Sequence, residues 1–135
     1  MGAWGVGPFD NDDALDLLYL LEKDPRRVLV DRFDAAVRRR SDEMISVDEA
    51  GVVVAAAALV GARVTGEPAG EATADEWLDA NPGFEVDSEL RDLTLTALRR
   101  VAADSELRDL MAEEDLVESW DEEVLTLMGR LVSGT

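Results

Sequence analysis

The sequence predicts an all-α protein that forms a single domain, residues 1–135, of about six or seven helices around a central apolar helix at about 47–62. Three observations lead to this fold class. Apolar residues recur at helical spacing along most of the chain, and no convincing alternation of period two interrupts them. Helix-start signals recur, and a length of 135 residues suits one domain.

The first helices are predicted from cap residues. Residues 1–9 form a Gly-rich arm, and helix one begins at the N-cap Asp10 and runs to about Lys23. Helix two begins at Asp24-Pro25, with Asp as cap and Pro at the first helical position, and closes at Arg38, Arg39 and Arg40.

Helix three is predicted to be the centre of the domain. Ser46 and Glu49 form a capping box, and residues 50–60 are apolar on every side of the helix. A helix of this kind in a globular protein is buried all round. The glycines and proline between Gly61 and Ala72 predict a loop after it.

The second half of the chain contains the same kinds of residues that begin helices in the first half. Helix starts are predicted at the capping boxes Thr73–Glu76 and Ser119–Glu122 and at Ser88 and Ser105. The turn Asn81-Pro82-Gly83 ends the short fourth helix. The last helix carries a clean apolar stripe, made of Trp120, Val124, Leu127, Met128 and Leu131.

Composition excludes several classes of function. The chain has 31 acidic and 13 basic residues and a net charge of -18, which disfavours binding to nucleic acid and to anionic lipid. Since Cys and His are absent, disulfides, ordinary zinc sites and Ser-His-Asp triads are excluded. No catalytic pair stands out among the carboxylates, so an enzyme is not favoured. With no secretory signal and no apolar run of the roughly 20 residues that span a bilayer, we expect a cytoplasmic protein.

The charges are unevenly distributed. Residues 64–135 hold 19 acids and 5 bases, and seven of the eleven residues from Glu113 to Glu123 are acidic. These seven form a candidate acidic interface: Glu113, Glu114, Asp115, Glu118, Asp121, Glu122 and Glu123. They are either a surface for a basic partner or a solvated helix surface. Arg38, Arg39 and Arg40 could form an anion site. We favour the interpretation that they complement the dipole at the end of helix two, or that they form ion pairs with this acidic end.

The N-terminus carries the densest polar cluster. Asp10, Asn11, Asp12, Asp13 and Asp16 offer carboxylate and amide oxygens, which Mg²⁺ and Ca²⁺ prefer, although the spacing is not that of an EF-hand. The competing interpretation is a capped helix start with dipole-compensating acids, and it requires no metal or other cofactor. In the arm before the cluster, Trp4 and Phe9 are expected to anchor the chain on the core.

The opening residues resemble a bacterial family known only as domain of unknown function 4259. The resemblance rests on Gly-Ala-Trp-Gly, then Gly-x-Phe, then Asn-Asp, and is supported by Asp104-Ser105-Glu106-Leu107 and Trp120. Leu17 departs from the aromatic residue that many members carry there. The resemblance implies a small helical protein without assigned activity. It marks as candidate motif residues Trp4, Gly5, Gly7, Phe9, Asp10, Asn11, Asp12 and Asp16.

Three functional hypotheses follow. The leading one is a protein-interaction module of the inhibitor or immunity type, whose acidic half meets a basic protein; the immunity comparison is an analogy. The second is a divalent-metal protein or metal-dependent hydrolase built on the N-terminal Asp cluster. The third gives the arm motif a purely structural role with no ligand.

Overall fold

A computed structural model describes residues 12–40 and 42–133, with side chains from Asp16 onward. This part of the chain contains seven helices and no strand, which confirms the predicted all-α class. The helices are α1 Asp12–Leu20, α2 Pro25–Val37, α3 Val47–Thr65, α4 Ala72–Ala80, α5 Ser88–Ala103, α6 Glu106–Glu113 and α7 Val117–Ser133. Within the described ranges, none of them is long and apolar enough to cross a membrane.

Helix α3 contacts all six of the other described helices. Every residue from 53 to 62 is buried, and most of them are Ala, Val or Gly. Small side chains let neighbouring backbones approach closely on every side, which is why one helix can accommodate so many partners. The large buried side chains come mainly from the surrounding helices, including Leu29, Phe33, Leu98 and Trp120.

Several predicted caps are confirmed. The Asp24 carboxylate accepts from the Arg27 amide at 3.3 Å, and the Ser46 hydroxyl accepts from the Glu49 amide at 3.2 Å. The Ser105 hydroxyl, fully buried, accepts from the Arg108 amide at 3.1 Å. Each of these bonds satisfies a helix N-terminal amide that has no partner inside its own helix.

Three predicted boundaries from Gly61 onward are wrong. Gly61 does not begin a loop, because α3 continues to Thr65 and ends at Gly66, whose φ of 77° is the left-handed cap conformation. Helix α4 begins at Ala72 with Glu71 as its N-cap, so Thr73 lies within its first turn. Helix α7 begins at Val117, so Ser119 also lies inside a helix. For α3 and α4, Gly66 and Glu71 cap the helix ends instead.

The first two helices are shorter than predicted. Helix α1 ends at Leu20, three residues before Lys23, and α2 ends at Val37, so that Arg38 is its C-cap. The predicted N-cap Asp10 and the arm 1–9 lie outside the described residues.

Arginines from neighbouring elements donate to carbonyl groups at or near the ends of helices. Arg63 of α3 donates to the carbonyls of Leu78 and Asn81, at 2.8 and 3.1 Å, where α4 ends. Arg100 of α5 donates to the carbonyls of Arg39 and Arg40, at 3.2 and 3.0 Å, just after α2. The Leu78 carbonyl is one of the last four of α4, which lack partners inside that helix. The other bonds join α3 and α5 to the segments that follow α4 and α2.

An exposed ion pair connects α2 to the start of α5. Arg26 lies 2.9 Å from the Asp87 carboxylate, and that carboxylate also accepts from the Leu90 amide at 2.8 Å as the N-cap of α5. The hydrogen bond from the Leu90 amide, which is the larger cause, and the hydrogen bond from Arg26 hold the pKa of Asp87 below its ordinary value of 3.8. The charged form of Asp87 is therefore favoured by folding.

The helical position of Gly61 is testable with a matched pair of glycine substitutions. A methyl group at Gly61 would meet Arg130 at 3.6 Å, an ordinary contact, so Gly61→Ala should raise the free energy of unfolding by about 0.5–1 kcal/mol. Gly66→Ala should lower it by about 1 kcal/mol, because its positive φ disfavours any L side chain. Urea unfolding measures both. Destabilisation by Gly61→Ala would contradict a helical Gly61.

The Asp87 pair predicts a specific pH dependence. Asn is also a good N-cap, so Asp87→Asn keeps the cap and removes the charge. Because the folded pKa is depressed, the extra stability of the wild type is fully present above the unfolded pKa and is lost as pH falls through the folded pKa. Urea unfolding at pH 7 and at successively lower pH should show the two proteins converging in acid. A difference that stayed constant with pH would contradict this assignment.

Candidate functional site: an acidic surface on the last two helices

The predicted N-terminal site lies almost entirely outside the described residues. Trp4, Gly5, Gly7, Phe9, Asp10 and Asn11 precede them, and Asp12 and Asp13 are described only as backbone of α1. Of the five predicted metal ligands, only Asp16 has a described side chain, and it is exposed. Among described side chains, no group of three or more Asp or Glu could hold a metal ion. The metal hypothesis therefore stays a prediction.

The seven residues of the candidate acidic interface lie along the end of α6, the turn after it and the start of α7. We call this set the acidic surface: Glu113, Glu114, Asp115, Glu118, Asp121, Glu122 and Glu123. Six of the seven side chains are exposed, and Asp121 is half-buried. Asp121 pairs with Arg108 of α6 at 3.3 Å, so one carboxylate of the surface is partly neutralised.

A tight turn between α6 and α7 brings these carboxylates together. The amide of Leu116 donates to the carbonyl of Met111 at 2.7 Å, and the amide of Asp115 donates to that of Ala112 at 3.2 Å. This pair of bonds is the Schellman arrangement, in which the residue after the C-cap adopts a left-handed conformation. Asp115 occupies that position with φ 61°. Helices that end in this arrangement usually have Gly at this position, because a side chain is disfavoured in the left-handed conformation.

The electrostatics of the acidic surface are unfavourable to the fold. Glu113 ends α6, where the helix dipole favours positive charge. Glu118 and Glu122 are four residues apart on α7, and like charges at that spacing repel. Glu118 alone gains from its place in the first turn of a helix. The surface therefore concentrates negative charge without a matching gain in stability.

The three consecutive arginines after α2 do not pair with this surface. Arg38 lies 2.9 Å from Asp34, Arg39 pairs with Glu49, and Arg40 lies 3.2 Å from Asp42. The expected ion pair between this run and the acidic C-terminal end is thus wrong for the described side chains. Local acids lie closer to these arginines than α6 and α7 do, so the run is neutralised within its own region.

The structure also contains an apolar groove that the sequence analysis missed. It lies between α1, α2 and α3 and has a volume of about 240 Å³. Its lining includes Leu17, Leu20, Val52 and Val53, and the Leu20 side chain is 50% exposed. The signal was the broad apolar face of helix one, which is wider than the stripe that one buried helix face requires.

The chain belongs to the family described as a domain of unknown function, DUF4259, whose model matches residues 2–123. This match confirms the family that the opening residues resemble, and its range contains the whole acidic surface. No curated protein and no solved structure matches the chain.

The left-handed conformation of Asp115 predicts a stabilising substitution. Asp115→Gly should raise the free energy of unfolding by about 1 kcal/mol, because Gly adopts this conformation without strain. Asp115→Asn is the matched control, since Asn tolerates the conformation nearly as Asp does but carries no charge. Denaturant unfolding at low and at high salt separates the two effects. A salt-independent gain for Gly, larger than that for Asn, identifies backbone strain, and equal gains would contradict it.

Proposed function

We propose that this protein is a protein-interaction module whose acidic surface docks on a basic partner protein. The observation that carries the proposal is the cost of that surface to the fold. Six exposed carboxylates lie within eleven residues, two of them at a repulsive helical spacing. An acidic side chain also occupies a backbone position that favours Gly. Strain and repulsion kept at one place are typical of a functional surface.

The distribution of bases supports the same proposal. Arg63 and Arg100 donate to carbonyls of the fold, and Arg38, Arg39 and Arg40 pair with acids of their own region. Among the described side chains of the acidic surface, only Asp121 forms an ion pair with a base, Arg108. The remaining carboxylates are available to a partner, and a basic protein would neutralise them while being steered towards them.

The partner's properties follow from this chemistry. It should present a cluster of Lys or Arg that matches carboxylates at the end of α6, in the turn after it and at the start of α7. Association should be fast at low ionic strength and should weaken steeply as salt rises, because exposed charges more than about 8–10 Å apart are screened at physiological salt. An inhibitor or immunity-type role, in which the acidic surface covers a basic region of another protein, is the finer form of the proposal.

The test combines capture of partners with matched charge reversals. A quadruple variant, Glu113→Lys, Glu114→Lys, Glu118→Lys and Glu122→Lys, reverses the acidic surface. The control variant, Glu22→Lys, Glu76→Lys, Asp79→Lys and Glu85→Lys, makes the same net change at four exposed acids elsewhere. Tagged proteins are used to recover partners from the native host at low and high salt, and mass spectrometry identifies them.

We expect a basic protein to be recovered by the wild type and by the control at low salt, and to be lost at high salt or with the reversed surface. Binding of the purified pair should fall by at least about tenfold for the reversal, since several exposed pairs at about 0.2–1 kcal/mol each are lost together. Equal binding by both variants would show that net charge, and not this surface, matters. Retained binding by the reversed variant would refute the proposal.

A further inference from the structure

We propose that the acidic surface and an apolar stripe beside it on α7 together receive an amphipathic basic helix of the partner protein. We define the apolar stripe as Leu125, Met128, Gly129 and Val132. Leu125 is 64% exposed and Val132 is 54% exposed, so α7 leaves two large apolar side chains in contact with water. Their burial by a partner would be favourable. The inference rests on the proposed function, because it specifies the partner of the same acids.

One face of α7 carries both the acids and the apolar stripe. Glu118, Leu125 and Val132 are spaced seven residues apart, which places them along one line of an α-helix. Glu122 and Gly129 have the same spacing and lie beside that line. The outward face therefore changes from carboxylates near the start of α7 to apolar side chains near its end. The opposite side of the helix is buried against the domain through Trp120, Val124, Leu127 and Leu131.

Gly129 indicates a close helix–helix contact on this face. A Cβ atom placed at Gly129 would meet nothing within 4 Å in the part of the chain that the structure describes. Glycine inside a helix lowers stability relative to alanine, so the described fold does not explain this glycine. Between Leu125 and Val132 it leaves a gap in the side-chain layer, and the backbone of a second helix can approach closely there.

The charges of this face specify the occupant. A second copy of the chain would bring a net charge of -18 to the contact, and repulsion opposes that association. The only base of α7, Arg130, donates to the Pro68 carbonyl at 3.0 Å and is engaged there. A helix with Lys or Arg near one end and apolar residues at i, i+3, i+4 and i+7 matches both parts of the face. At 1.5 Å per residue, the face from Glu118 to Val132 is about 21 Å long, or about four turns of such a helix.

The experiment measures binding of a synthetic amphipathic peptide to the isolated protein. The peptide has about 18 residues, or five helical turns, with Lys on one helix face in the first two turns and Leu on the same face in the rest. Its other positions are Ala or Gln, and a control peptide of the same composition scatters the Lys and Leu around the helix. Fluorescence anisotropy at low salt gives both dissociation constants. We expect the amphipathic peptide to bind at least about tenfold more tightly, since only it can bury its leucines on the stripe while its lysines meet the acids.

Paired substitutions test the apolar stripe without changing charge. Leu125→Gln should weaken binding of the amphipathic peptide by at least about fivefold, whereas Leu20→Gln, at an exposed leucine of α1, should leave it unchanged. Gly129→Gln should weaken binding similarly by filling the gap, yet raise the midpoint of urea unfolding, because Gln favours a helix more than Gly does. Gly129→Ala should raise the midpoint and keep most of the binding, since a methyl group leaves room for the second helix.

The charge-reversed acidic surface separates this inference from the proposed function. If reversal abolishes peptide binding while Leu125→Gln and Gly129→Gln leave it unchanged, the inference is overturned and the proposed function stands. Equal binding of the two peptides, or no binding of either, also overturns the inference. If the apolar variants weaken binding and charge reversal does not, the acids play no part and both are overturned. Sedimentation velocity of the protein alone tests the other occupant, since self-association that Leu125→Gln abolishes would assign the face to a second copy.

Discussion

The packing of small side chains around α3 is the constraint on which the rest of the structure depends. Residues 53–62 are buried on all sides, so each of the other described helices must place its own apolar face against this one. Since Ala and Gly contribute little side-chain volume, the surrounding helices supply the bulk of the core through residues such as Phe33 and Trp120. A larger side chain near the middle of α3 would push several helices apart at once, because protein interiors are packed too tightly to absorb it.

A second constraint is how a chain with so few bases uses them. Arg63, Arg100, Arg108 and Arg130 each donate to a main-chain carbonyl of another segment, so cationic side chains connect elements that the apolar core alone would leave less precisely oriented. The acids are far more numerous, and their mutual repulsion opposes the compact state. The acids are most concentrated along α6 and α7, and a basic partner would neutralise them there.

The sequence predicted the fold class and most of the helix starts, and the reason is local chemistry. Asp24, Ser46 and Ser105 cap their helices by accepting hydrogen bonds from amides three residues later. Four consecutive residues are therefore enough to predict each cap. The errors arose where a local signal was overridden. Gly61 suggests a loop in isolation, but burial against its neighbours keeps it helical, and the helix ends instead at Gly66.

What the sequence by itself determined is the all-α class, the apolar character of α3 and the clustering of acids from Glu113 to Glu123, because each depends on residue type and short-range spacing. Only the tertiary structure decided which charges meet. Arg39 pairs with Glu49, ten residues away, and Arg26 pairs with Asp87, which is sixty-one residues away. Only the tertiary structure, too, leaves a groove where α1 meets α2 and α3. Contacts between distant segments depend on how the helices pack in three dimensions, and the spacing of residues along the chain does not predict that packing.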